Sequence, residues 1–132
     1  MATVSLETHV NADPSHVWGQ VRDIRWPEAL TDIIASVKPT SKTTRDCTMG
    51  DGAKLKETIV GVDDSARRVA YTITESPFGT THHNASLQAL KDGEGTRLLW
   101  TIDVLPDEVA GALEPALSGE IITMAARLEG SA

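Results

Sequence analysis

Asn11-Ala12-Asp13-Pro14-Ser15-His16-Val17-Trp18 is the stretch that decides the fold, because it converts a strand into a helix within a few residues. Before it, Thr3–Val10 alternates apolar and polar residues, and this period of two predicts a half-buried strand. Asp13 can cap a helix, and Pro14 suits the first helical position, where a missing N–H has no partner to lose. We therefore predict a first helix over Pro14–Arg22.

Downstream of this helix, the chain predicts a second short helix followed by six strands. The second helix covers Pro27–Leu30, and Trp26 stays outside it because a residue before proline disfavours helical geometry. Turn signals such as Gly50-Asp51-Gly52 separate the strands, and their short, even spacing favours an antiparallel meander over parallel units. The predicted strands are Ile33–Pro39, Thr44–Met49, Lys54–Val62, Arg67–Glu75, Thr80–Leu90 and Thr96–Leu105.

The period changes from two to helical after Asp107. Gly130 can end the helix that this pattern predicts. Pro115 lies inside it and should either kink the helix or split off its first turns. The apolar stripe that defines the helix consists of Val109, Leu113, Leu117, Ile121, Met124 and Leu128.

Composition narrows the class of protein. The chain has 132 residues, 40% of them hydrophobic, which suits one domain with one packed core over residues 1–132. A net charge of −7 argues against a nucleic-acid partner and against docking on anionic membranes. No apolar run is long enough for membrane insertion, and the N-terminus lacks a signal-peptide pattern. The single Cys47 cannot form an internal disulfide, which fits a cytoplasmic location.

The inward faces of the strands combine apolar walls with a few polar exceptions. Alternation places Glu57, Tyr71, Glu75 and His83 on the inner face. Such walls with a few convergent polar groups are typical of a small-molecule cavity. The residues expected to contact a ligand are Trp100, Leu55, Ile59, Ile73, Ala85, Leu87, Leu117, Ile121 and Met124.

Each inward polar residue has a catalytic and a structural interpretation. Glu57 is either a general acid/base against an apolar wall or the partner of a cation such as Arg45. Tyr71 either donates a proton to a developing enolate or is a core tyrosine with a hydrogen-bonded hydroxyl. His83 is either a proton carrier or a satisfied core histidine.

Neither a metal nor a cofactor is expected. His82 and His83 are adjacent on a strand and point to opposite faces, so they cannot readily ligate one ion. No glycine-rich loop that could cradle phosphates is present. Cys47 has no evident base and is interpreted as a small core residue.

In their order along the chain, these sequence features resemble those of the START-like (SRPBCC) superfamily. This superfamily includes the birch-pollen-allergen-like helix-grip proteins. Within it, the chain looks most like bacterial polyketide cyclase/dehydrase-like and lipid-transport-like single domains. The resemblance covers residues 3–129 and rests on Asn11-Ala12-Asp13-Pro14, Val17-Trp18, Asp23-Ile24, Trp26-Pro27, Glu57, Tyr71, Gly95-Thr96-Arg97 and Trp100.

The resemblance implies an α+β helix-grip fold: a curved antiparallel sheet around a C-terminal helix, with two short helices after the first strand. It also implies a cavity for a small hydrophobic or polyketide-like molecule, with Glu57, Tyr71 and His83 as candidate residues for cyclisation or dehydration. Two other functions stay open. In the first, the protein is a non-catalytic carrier or sensor of a lipid-like ligand. In the second, it is a regulatory interaction module with a collapsed cavity. It acts as a monomer or a homodimer.

Overall fold

The strand-to-helix junction forms as its residues dictate. The computed structural model describes residues 1–132, and in it β1 (Ala2–Val10) leads directly into α1 (Pro14–Val21). The Asp13 side chain accepts a hydrogen bond from the Ser15 N–H at 3.2 Å, and Pro14 occupies the first helical turn. Helical spacing then buries Val17, Trp18 and Val21 on one face of α1.

Six further strands and two further helices follow α1. They are α2 (Trp26–Leu30), β2 (Ile34–Pro39), β3 (Thr44–Met49), β4 (Lys54–Asp63), β5 (Arg68–Glu75), β6 (His82–Asp92), β7 (Gly95–Leu105) and α3 (Val109–Gly130). The predicted elements are all present, with bounds that differ by two residues or fewer. Trp26 begins α2, contrary to the prediction, because the bias against helical geometry before proline is a preference and not a prohibition.

All seven strands form one antiparallel sheet in the order β1-β7-β6-β5-β4-β3-β2. The chain therefore runs as a meander from β2 to β7, and β1 joins at the far edge beside β7. Helix α3 packs on the sheet, chiefly against β1. This arrangement confirms the predicted helix-grip fold.

Helix α3 is held to the rest of the molecule by polar contacts along its length. Glu129 Oε1 accepts a hydrogen bond from the Asn11 N–H at 2.9 Å, and Glu120 Oε2 accepts one from the Asp32 N–H at 3.0 Å. Pro115 lies within the helix, whose 22 residues run without interruption. The first turns are thus not split off, so the helix continues across the core. None of the helices combines the length and the apolar character needed to cross a bilayer.

Gly95 marks the closest approach between β7 and β1. A Cβ atom at this position would lie 2.6 Å from the Val10 carbonyl oxygen and 2.8 Å from the His9 ring. The neighbouring Thr96 is fully buried and donates its hydroxyl proton to the Ala12 carbonyl at 2.7 Å. These two residues fix the end of β1 where the chain enters α1.

The ladder between β5 and β6 ends early. Its register covers Arg68 to Tyr71 opposite Ala85 to Gln88, although β5 continues to Glu75 and β6 begins at His82. The two strands therefore separate at one end of the sheet. This end is where the cavity described below is found.

Candidate ligand-binding site

A cavity of about 90 Å³ lies between the separated end of the sheet and helices α2 and α3. Thirteen of its 18 lining residues are hydrophobic. Phe78 lines the cavity and is also 46% exposed, so the cavity reaches the surface beside it. The lining residues are Trp26, Pro27, Thr31, Ile33, Ile34, Met49, Leu55, Glu57, Tyr71, Ile73, Phe78, Thr80, His83, Trp100, Ile102, Val109, Leu113 and Leu117.

The structure brings together the three predicted polar residues and part of the predicted apolar set. The predicted residues that line the cavity are Glu57, Tyr71, His83, Trp100, Leu55, Ile73 and Leu117. The other five predicted ligand contacts do not line the cavity, because they pack in or against the main hydrophobic core. They are Ile59, Ala85, Leu87, Ile121 and Met124. Alternation shows which face of a strand a residue lies on, but not how far along the strand a cavity extends. Because the cavity occupies only one end of the sheet, inward residues at the other end pack in the core.

Glu57 forms a buried ion pair with Arg45. Arg45 Nε donates to Glu57 Oε1 at 2.7 Å, and both side chains are nearly inaccessible to solvent. Arg45 Nη1 also donates to the Ile24 carbonyl at 3.0 Å, which ties the α1–α2 connection to the sheet. The structural interpretation of Glu57 is therefore realised. Its second oxygen, Oε2, has no hydrogen-bond partner within the protein and is not sealed from the cavity.

Two aromatic rings contact the guanidinium of Arg45. Its carbon lies 5.1 Å from the centre of the Tyr71 ring and 5.5 Å from that of the Trp26 ring, within the range of cation–π attraction. Trp26 in turn packs edge-on against Tyr71 and Trp100, with ring centres 5.8 Å and 6.1 Å apart. The floor of the cavity is thus a packed aromatic cluster around one buried positive charge.

Tyr71 is held in place by Trp100. Trp100 Nε1 donates to the Tyr71 hydroxyl oxygen at 3.1 Å. Burial, together with the nearby Glu57 carboxylate, raises the pKa of Tyr71 well above its usual range, so the hydroxyl keeps its proton. Because the oxygen acts as acceptor toward Trp100, the hydroxyl proton stays available for another acceptor.

His83 occupies the gap where β5 and β6 separate. Its Nδ1 accepts a hydrogen bond from the Ile73 N–H at 3.1 Å. Burial lowers the pKa of His83 to about 4, and the charge of His82 adds to the shift. His83 is therefore a neutral imidazole at neutral pH. His82 lies on the opposite, exposed face of β6, and Thr72 donates its hydroxyl to the His83 carbonyl.

Two other residues singled out in the sequence do not face the cavity as reactive groups. Glu75, predicted on the inner face, lies instead at the exposed end of β5, 4.0 Å from Lys56 Nζ. Cys47 is fully buried, and burial raises the pKa of its thiol to about 12, with the Glu57 carboxylate adding to the shift. Such a thiol is not a nucleophile at neutral pH. The structure contains no group of three or more His, Cys, Asp or Glu residues that could hold a metal ion.

The pairing of Arg45 with Glu57 can be predicted from the sequence, although the alternation of apolar and polar residues does not reveal it. The turn at Gly50-Asp51-Gly52 sets the register of β3 against β4, and in that register Arg45 lies directly opposite Glu57. Counting outward from the turn therefore pairs the two charges from the sequence alone. The loop residues at the mouth, such as Phe78 and Ile33, carry no comparable signal, because periodicity ends where strands end.

Known proteins include one sequence family that this chain matches and many solved structures that share its fold. A family model described as "Polyketide cyclase / dehydrase and lipid transport" matches residues 1–131. A search of curated protein sequences gives no match. Many solved structures share the fold, and three of them illustrate its range.

A putative uncharacterized protein from Bacillus thuringiensis superposes with a TM-score of 0.87 at 18% identity, covering 96% of this chain and 98% of its own. The ZhuI aromatase/cyclase from a Streptomyces species has a TM-score of 0.78 at 18% identity, covering 98% and 92% of the two chains. Ara h 8.0201 has a TM-score of 0.74 at 16% identity, covering 96% of each chain. At these identities, the likeness establishes the fold.

Proposed function

Because the chain belongs to the polyketide cyclase/dehydrase and lipid transport family, we propose that it binds a small hydrophobic or polyketide-like molecule in the cavity between sheet and helices. The observation that carries the proposal is the composition of the cavity wall: 13 of its 18 residues are hydrophobic, Tyr71 among them, and Glu57 and His83 are two of the other five. Apolar walls supply affinity, and a few polar groups fix orientation.

The size of the cavity limits the ligand. Its volume of about 90 Å³ is smaller than the roughly 150 Å³ of a dry apolar cavity that holds one benzene molecule. A single aromatic ring therefore fills the enclosed part of the cavity, and any substituent lies toward its open side. A longer chain would have to extend past Phe78, where the cavity reaches the surface.

The proposal is tested by thermal shift with a panel of single-ring aromatic ketones, fatty acids, sterols and aromatic polyketides. Leu113→Trp places a large side chain in the cavity, since Leu113 is a half-buried lining residue of α3. Ile122→Trp is the matched control, because Ile122 lies on the same helix and is 60% exposed. We expect stabilisation of the wild type and of Ile122→Trp, but not of Leu113→Trp. Equal responses in all three proteins would contradict binding in the cavity.

A second candidate function is cyclisation or dehydration of a reactive polyketide chain. It is favoured by the two unused polar atoms at the cavity, the Tyr71 hydroxyl proton and Glu57 Oε2. The walls would fold the chain so that reacting carbons meet, which lowers the barrier through orientation. Tyr71 would then stabilise the enolate oxygen, and Glu57 would accept the proton.

Substitution at both residues tests this reaction. We expect Glu57→Gln and Tyr71→Phe each to lower turnover of a poly-β-ketone substrate by roughly 10²-fold or more, as loss of a positioned proton-transfer group does. Product is followed by absorbance of the new aromatic ring. Full turnover in both variants would show that these roles are wrong. Tight binding without any product in the wild type would instead favour a non-catalytic carrier or sensor.

A further inference from the structure

The hydrogen bond at His83 replaces a missing rung of the sheet. Beyond Tyr71 and Ala85, the backbones of β5 and β6 no longer pair, so the Ile73 N–H lacks a carbonyl acceptor on β6. The imidazole of His83 supplies one, through Nδ1 at 3.1 Å. This contact leaves the backbone donor satisfied while the strands remain apart.

The same contact fixes which nitrogen of His83 carries the proton. A neutral imidazole has one N–H donor and one lone-pair acceptor. Because Nδ1 accepts a hydrogen bond from the Ile73 N–H, its lone pair is engaged. The ring proton must therefore be on Nε2. A doubly protonated ring would direct an N–H at the Ile73 N–H. The lowered pKa of His83 agrees with the neutral form.

No group in the protein accepts the resulting Nε2–H. Nε2 has no hydrogen-bond partner, it is not among the buried polar atoms sealed from the cavity, and His83 is a lining residue. The ring centre lies 5.8 Å from that of Tyr71, whose hydroxyl proton is also unused. Two donors from neighbouring strands therefore border the same small space without an internal acceptor.

We infer that His83 is a fixed hydrogen-bond donor whose Nε2–H, together with the Tyr71 hydroxyl, selects ligands that carry a carbonyl oxygen. This inference rests on the proposed binding function and deepens it. It also replaces the proton-carrier interpretation of His83. A general base needs a free lone pair, and the only one on this ring is engaged by the Ile73 N–H.

The tautomer is measured directly on the unliganded wild-type protein. Long-range ¹H–¹⁵N correlation spectra at pH 7 report which imidazole nitrogen is protonated, and His83→Gln assigns the His83 signals among the four histidines. We expect an acceptor-type Nδ1 and a protonated Nε2. A protonated Nδ1, or a doubly protonated ring, would overturn the inference.

Selectivity is measured with acetophenone and α-methylstyrene, which have nearly the same shape but differ in the oxygen acceptor. The dissociation constant of each is obtained by NMR titration. A site with unpaired donors rejects the analogue that lacks the acceptor. We expect the preference for acetophenone, expressed as the ratio of the two constants, to fall about fivefold to tenfold in His83→Phe and in Tyr71→Phe.

His82→Asn is the matched control, since His82 is the exposed neighbour on the opposite face, and its ratio should equal that of the wild type. If both compounds bind and the ratio is the same in all four proteins, the selectivity inference is wrong while the binding function stands. If the wild type binds neither compound although another member of the panel binds in the cavity, the selectivity inference is wrong while the binding function stands, and if no member of the panel binds, both fail. The tautomer is measured on the wild type, and single variants of the other three histidines assign the His83 signals by elimination, so instability of His83→Gln or His83→Phe does not shield the inference.

Discussion

At the scale of single residues, the Arg45–Glu57 pair is the most consequential contact, because both charges are buried beside the cavity. Taking two charges out of water is costly, and their attraction offsets this cost only while both are present. Arg45 Nη2 is buried without any partner, which adds to the cost. Removal of one member should therefore harm the protein more than removal of both.

We expect Arg45→Met to lower the free energy of unfolding by about 3–5 kcal/mol, because it leaves the Glu57 carboxylate buried without its cation. The double variant Arg45→Met/Glu57→Leu should be more stable than Arg45→Met alone. Urea denaturation of the wild type and the variants measures these differences. A double variant that is no more stable than Arg45→Met would contradict the account of the pair.

His83 should make stability depend on acidity. The pKa of His83 is about 4 in the folded protein against an ordinary 6.5, so between these values the unfolded chain binds a proton that the folded protein does not. The contribution of this group to stability is complete above about pH 6.5 and is lost as the pH falls, and the loss reaches about 3 kcal/mol by pH 4. The difference in unfolding free energy between wild type and His83→Gln should shrink by that amount.

The measurement is urea denaturation across this pH range, in which exposed carboxylates titrate alike in both proteins. His82→Gln serves as the control and should lose nearly as much stability as the wild type, because burial and not the charge of His82 is the main cause of the lowered pKa of His83. Parallel curves for the wild type and His83→Gln would show that His83 is not held neutral by the fold.

The sequence predicts which polar residues turn inward, but not what they do. Alternation identifies Glu57, Tyr71 and His83, and all three line the cavity. The tautomer of His83 depends on the separation of β5 from β6, which is a tertiary feature without a local signal. The packing of Ile121 and Met124 in the core instead of the cavity likewise depends on how far the cavity extends along α3.

At the scale of elements, the junction of β1 with β7 depends on the absence of a side chain at Gly95. A methyl group there would meet the Val10 carbonyl at 2.6 Å, and backbone cannot move aside cheaply. We expect Gly95→Ala to lower the unfolding free energy by roughly 1–3 kcal/mol, as overpacking does. The midpoint of thermal unfolding, followed by circular dichroism, measures this.

Gly119→Ala is the control for Gly95→Ala, because a Cβ at Gly119 meets nothing within 4 Å and the position is inside α3. Alanine favours helix over glycine by roughly 0.8–1.0 kcal/mol, so Gly119→Ala should be neutral or stabilising. If both variants were equally stable, the close approach at Gly95 would not matter.

The elements themselves are predictable because their signals are local. The Asp13-Pro14 cap, the glycine turns and the change of period after Asp107 each act within a few residues, and every element they predict is present. The continuity of α3 through Pro115 is not predictable, since proline inside a helix is compatible with a kink, a break or neither. The local sequence therefore leaves the outcome open, whereas in the structure α3 is continuous and packs against β1.

At the scale of the whole molecule, the separation of β5 from β6 and the position of α3 create a space that the chain does not fill. The cavity of about 90 Å³ is lined mainly by hydrophobic side chains and reaches the surface beside Phe78. Neither local patterns nor composition indicate its volume, because small residues in a helix either leave space or allow closer packing. A binding function depends on this space staying open in solution.

The most direct test is native mass spectrometry of the protein as purified and after incubation with acetophenone, fatty acids and aromatic polyketides. We expect a complex of one small molecule per chain for the wild type and Ile122→Trp, and none for Leu113→Trp, which fills the cavity. Extraction and identification of a co-purifying molecule would name its class. A wild-type protein that shows only its own mass under all these conditions would contradict ligand binding in the cavity.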